Sequence, residues 1–163
     1  MKKVLITLVA VLVCAGTVAF AATDTKTVAV SATVSATAKL TVGSATLTFP
    51  DADPDTTPSI AATEGAITVR AQGKTSAAGN ITLVVKSGGN LVSGGDNINI
   101  SNLTWTVTGA GYSAGTMGTT DQALGSWTGS GDRSGTQTYA LANSWSYVTG
   151  SYSATLTYTL TAP

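Results

Sequence analysis

The chain has 163 residues, with eight cationic and eight acidic side chains, no histidine and a single cysteine. Charge this sparse excludes the basic footprint that nucleic acid or an anionic lipid surface requires. Without histidine, and with Cys14 as the sole thiol, His-dependent triads and Cys/His zinc sites are excluded as well, and a thiol nucleophile too once Cys14 leaves with the segment described next.

The first expected element is a targeting segment. Lys2 and Lys3 precede an almost wholly apolar run from Val4 to Val13, and Ala19-Phe20-Ala21 fits a small-x-small cleavage site. Residues 1–21 therefore read as a signal peptide. Its apolar core is short for a bilayer, and no later segment approaches the roughly 18 apolar residues of a membrane span. The residue before Cys14 is Val13, where a lipidation motif wants a small side chain, so Cys14 is expected to leave with the signal. What remains has six cations against eight carboxylates. By length it is one domain with a core of its own.

From Val28 to Val42 every even position is apolar: Val28, Val30, Ala32, Val34, Ala36, Ala38, Leu40 and Val42. A period of two predicts a β-strand with one buried face. The run is longer than a usual strand of about 5 to 6 residues. It reads either as two strands of its own fold or as one strand plus an extension, residues 22–34, with no partner in its own chain. The second reading gives the segment the form of a donor strand whose plugs are Val28, Val30, Ala32 and Val34.

A strand is expected at 45–49, then a turn in DADPDTTPS, and further strands at 66–71 and 81–86. An alternating stretch at 98–108 follows. Residues 109–135 are rich in Gly, Ser and Thr and read as loop with short apolar islands. Strands at 138–141 and 151–161 complete the set. About eight short strands with no helix between them predict an all-β, immunoglobulin-like antiparallel sandwich over residues 35–163. In the last strand Tyr152, Ala154, Leu156, Tyr158 and Leu160 share one face, expected to lie in the core.

The strings VSATVSATAKLTV, LTFPDADPD, GAITVRA and GSYSATLTYTL resemble spore-coat-protein-U-type and related chaperone–usher pilin subunits. The likeness covers the two ends of the mature chain and is thin between Gly88 and Gly135. Asp53-Pro54, Gly65 and the Gly150–Tyr152 start of the last strand match the pattern, whereas Ala162 stands where pilins carry a penultimate tyrosine. Two cysteines common in the coat-U group fall at Ala38 and Ala71, and both are absent here. The resemblance implies an incomplete sandwich that homopolymerises by donating its N-terminal strand, with a periplasmic chaperone and an outer-membrane usher as partners.

Sites for chemistry are poor. No serine sits in a G-x-S-x-G elbow, and Glu64 is the only glutamate. Asp51, Asp53 and Asp55 form a D-x-D-x-D run that could open a calcium loop. Thr56 and Ala62 stand where an EF-hand needs Gly and Glu, so a solvated turn is the simpler reading. Among the aromatics, Trp105 alternates in phase with Leu103 and Val107 and is expected in the core. Trp127, in a Gly-rich stretch, and Trp145 with Tyr147, just before the last strand, are the candidate ligand platforms.

The expected function is a structural, non-enzymatic subunit of a secreted bacterial filament or coat, without cofactor, nucleic acid or membrane span. A monomeric carbohydrate- or surface-binding sandwich is the alternative.

Overall fold

The computed structural model describes residues 22–163, so the expected signal segment and Cys14 lie outside the described residues. The chain divides into a unit ending at Thr33 and a unit from Val34 to Pro163. In the first, residues 22–33 are exposed and form neither helix nor strand.

The second unit is all-β. Its strands are β1 (Thr37–Val42), β2 (Ser59–Lys74), β3 (Asn80–Ser87), β4 (Leu91–Ser93), β5 (Asp96–Ile98), β6 (Leu103–Thr108), β7 (Gly115–Thr116), β8 (Gln122–Thr128), β9 (Gly131–Ala142) and β10 (Leu156–Thr161). A single 3-10 turn at Ile100–Asn102 separates β5 from β6. All the strand pairs are antiparallel. One sheet has the order β1-β2-β9-β6-β7, the second β10-β3-β8, and β4-β5 forms a small ribbon. The chain is thus an antiparallel β-sandwich, as the period-two patterning predicts.

The same alternation builds the core. On β2, Ile67, Val69 and Ala71 are buried between exposed Thr68 and Arg70; on β3, Ile81, Leu83 and Val85 are buried. Each buried Ile, Leu or Val side chain here contributes about 1.5–3 kcal/mol. They form one cluster with Leu103 and Trp105 on β6, Leu124 on β8, and Tyr139 and Leu141 on β9. Trp105 is in the core, as its phase predicts.

Several elements differ from expectation, each for a visible reason. The Val28–Val42 run yields a strand only from Thr37, with Leu40 and Val42 half-buried. No strand forms at 45–49. There β2 bulges, with Ala61 opposite Ala140 and Ala66 opposite Thr138, and Gly65 turns through a φ of 63°. The ladder edge that β1 follows swings away at this bulge. The last pairing is Val42 with Val69, capped by Gly43 N–H donating to the Thr68 carbonyl. Contact resumes at Thr48, whose carbonyl accepts from Thr63 N–H at 2.9 Å.

The region read as a Gly-rich loop, 109–135, holds β7, β8 and the start of β9. Its glycines make room for rings. A Cβ on Gly115 would sit 2.6 Å from the Trp105 indole, and one on Gly111 or Gly125 would overlap Trp127. The last strand begins only at Leu156. Its inward residues, Leu156, Tyr158 and Leu160, are half-buried rather than buried, while Tyr152 and Ala154 precede the strand and Ala154 is exposed.

Candidate functional site: an open groove between two edges

β1 ends one side of its sheet and β10 ends one side of the other, and no ladder joins them. Beyond Val42 and before Leu156 the two chain segments border a groove of about 1340 Å³. One wall is the irregular stretch after β1, where Leu47 and Phe49 are half-buried. The opposite wall is the stretch leading into β10, with Tyr152, Leu156 and Tyr158. Buried Ile60, Ile67, Leu103 and Leu141 lie beneath. These floor residues alternate inward on β2, β6 and β9, so sheet formation alone places them.

The wall after β1 is loosely tied. Among the described residues, the backbone of 45–51 makes one backbone–backbone hydrogen bond, the Thr63–Thr48 contact. Glu64 reinforces that point. Its carboxylate accepts from the Thr48 amide and from the Thr48 hydroxyl, both at 2.9 Å. The Thr48 amide in particular holds the Glu64 carboxyl below its ordinary range. Thr46 is tied locally, its carbonyl accepting from the Ser44 hydroxyl at 2.8 Å and its amide donating to the same hydroxyl oxygen at 3.3 Å. The other amides and carbonyls of this wall, and the outer edge of β10, are backbone groups that an added strand can bond.

A polar chain runs from the core toward the groove. Tyr139 and Tyr158 share a hydrogen bond of 2.6 Å between their hydroxyls, and the Tyr158 hydroxyl donates to Gln137 Oε1 at 2.9 Å. Burial is the main cause that pushes both phenols well above the ordinary tyrosine range. Gln137 is fully buried, and its Nε2 has no partner. Such a group costs about 1–3 kcal/mol.

At one end of the groove two turns are clamped together. Asn143 Nδ2 donates to the carbonyls of Ala52 and Thr57 at 2.9 and 3.1 Å, and the Asn143 amide donates to the Pro58 carbonyl at 2.9 Å. Trp145, on the second turn, donates from Nε1 to Asp55 Oδ1 at 3.0 Å and is 70% exposed.

The structure separates the residues singled out in the sequence. Val28, Val30 and Val34 are 85%, 91% and 74% exposed, and Ala32 is exposed with them. Trp127 is not a loop platform. It is buried on β8, with Nε1 donating to the Ala110 carbonyl at 2.8 Å and the ring edge-on to Tyr112. Trp145 and Tyr147 do not form an extended row either, because 145–147 is a turn. Tyr147 is half-buried there and donates its hydroxyl to the Ala142 carbonyl at 3.0 Å. Asp51, Asp53 and Asp55 lie on the opposing turn, where Asp53 Oδ1 accepts from the Asp55 amide at 2.9 Å. No group of three or more metal-ligating side chains forms among the described residues.

The groove floor and the Gln137–Tyr139–Tyr158 chain carry no signal of their own in the sequence. Alternation marks these residues as core but does not tell an enclosed core from one open along an edge. The chain matches no family model, no curated protein and no solved structure.

Proposed function

We propose that this chain is a structural subunit of a bacterial surface filament or coat, in which the N-terminal extension of one copy fills the groove of the next. The observation that carries this reading is a paired deficiency. The sandwich has an open apolar groove between two unjoined edges. The extension has valines in water and no strand pairing. Each supplies what the other lacks. An added strand would bond the free backbone groups and bury Val28, Val30 and Val34, each contributing up to about 1.5–3 kcal/mol.

The chain is exported through the periplasm by the signal segment 1–21 and released with Ala22 at its N-terminus. A chaperone and an usher of the chaperone–usher type are the partners the sequence resemblance supplies. Since a free groove and a free strand also invite uncontrolled association, a chaperone that caps the groove before assembly fits the same surface. The role is structural, with no catalytic step.

Electron microscopy of the native purified protein tests the reading. Filaments or sheets with one subunit per repeat are expected. Monodisperse particles of subunit mass at every concentration, from correctly processed protein, would overturn it.

A further inference from the structure

Among the described residues Trp145 is the one exposed tryptophan, at 70% against 2% for Trp105 and 8% for Trp127. Its ring is nevertheless held. Nε1 donates to Asp55 Oδ1, and the Asn143 hydrogen bonds lock the turn that carries the ring against the turn that carries Asp55. The indole's only polar group is therefore engaged, and the part of the ring left for a ligand is its face. The ring lines one end of the open groove, so an oriented aromatic face meets a concave, largely apolar surface, which is the form a ligand site takes. Fixing it in advance removes the ordering cost that a free side chain would pay on binding.

The chemistry of that face is specific. An aromatic ring is electron-rich on its faces, and a carboxylate at the indole N–H edge makes this one richer. It attracts weakly positive hydrogens, such as the C–H groups that line one side of a pyranose. A sugar bound so also needs acceptors and donors around its rim for its hydroxyls. The second carboxylate oxygen of Asp55 and the hydroxyls of Ser144 and Ser146, which lie 2.8 Å apart, stand on the same two turns. We propose that Trp145 is the stacking platform of a saccharide-binding site for a neutral pyranose, with Asp55 as its positioning residue. Trp145 and Ser144 stand at one end of the groove, so the proposal rests on the assembly reading only in needing the strand that fills the groove to leave this end open. Repeated along a polymer, a weak single site becomes an avid one.

The test uses the full exported protein, titrated with neutral gluco-, manno- and N-acetylglucosamine oligosaccharides while tryptophan fluorescence is followed. A saturable change is expected with at least one of them. Trp145→Ala should weaken binding at least tenfold, Trp145→Tyr should restore part of it, and Asp55→Ala should weaken it less than Trp145→Ala. Melting should match the parent protein in all three variants. The proposal is overturned if no sugar gives a saturable change, or if Trp145→Ala binds as the parent does. It is equally overturned if only amine-bearing ligands bind and salt abolishes the effect, which would make the ring a cation site. Loss of filaments from a folded Trp145→Ala subunit would place the ring in a joint between copies and overturn it too.

Discussion

At the residue scale, glycine acts in this chain mainly by leaving space. Trp127 has Gly111 on one side and Gly125 on another, and a Cβ at either would overlap the ring. Gly125→Ala should therefore destabilise the domain by about 1–3 kcal/mol, the usual cost of forcing atoms into a packed core. Gly89 has nothing within 4 Å of its would-be Cβ, so Gly89→Ala is expected to be nearly neutral. Denaturant titration of the two variants side by side checks this. Equal effects would mean that Trp127 shifts freely to accommodate the methyl group.

The tyrosines set a second residue-scale expectation. Burial raises the folded-state phenols of Tyr139 and Tyr158 above their unfolded value of about 10. A raised folded value means that the neutral form is favoured by folding, so the contribution is complete below about pH 10 and is lost above it. Stability should fall above that pH, and Tyr158→Phe should flatten the fall. At the acid end the sign reverses. Glu64, held low by the Thr48 amide, and Asp132, held low by hydrogen bonding to Arg70, favour folding when charged. Their contributions are lost as pH drops through the carboxylate range. Melting curves across pH read both limbs.

At the scale of elements, the strands legible in the sequence are those with one face in a continuous core. β2 and β3 announce themselves through Ile67-Val69-Ala71 and Ile81-Leu83-Val85. β8 and the first half of β9 do not, because Gly125, Gly131 and Gly135 carry loop signals that the neighbouring rings override. The 45–49 stretch alternates like a strand, yet it loses its ladder to a bulge set by Gly65 in the neighbouring strand. Local sequence at 45–49 holds no trace of that. Trp127 is disguised in the same way as β8, since its Gly-rich flanks imitate an exposed turn.

β10 gives the element-scale prediction. Leu83 and Leu124 are fully buried, so Leu83→Ala should cost about 2–5 kcal/mol. Leu156 is half-buried against the groove. Leu156→Ala should therefore cost clearly less than Leu83→Ala in the unassembled subunit, while Thr157→Ala and Thr159→Ala, on the exposed face, change little. A loss at Leu156 as large as that at Leu83 would mean that this edge is already covered within one subunit.

At the scale of the whole molecule, the proposed assembly completes each domain with a second copy. The composition holds no histidine, and the alternation at Val28–Val34 gives the extension the character of a strand without a sheet. The groove itself is not legible in the sequence, since it arises where β1, β2 and β10 part company. Val30→Asp carries the mutational prediction at this scale. A carboxylate in an apolar groove costs several kcal/mol unless it is neutralised or escapes. The variant subunit should melt as the parent does, because residue 30 is exposed in the single chain, yet it should form no filaments. A variant that fails to fold would assign the segment to its own domain.

Cysteine cross-linking tests this completion most directly, because Cys14 is the chain's only cysteine and lies within the expected signal segment. A chain carrying Val30→Cys together with Leu156→Cys, or with Leu47→Cys to sample the other wall, should oxidise to a ladder of covalent multimers. Thr33→Cys, on the opposite face of the extension, should give no ladder with the same groove cysteines. Oxidation only to a closed monomer, by a bond between the two cysteines of one chain, would contradict the account.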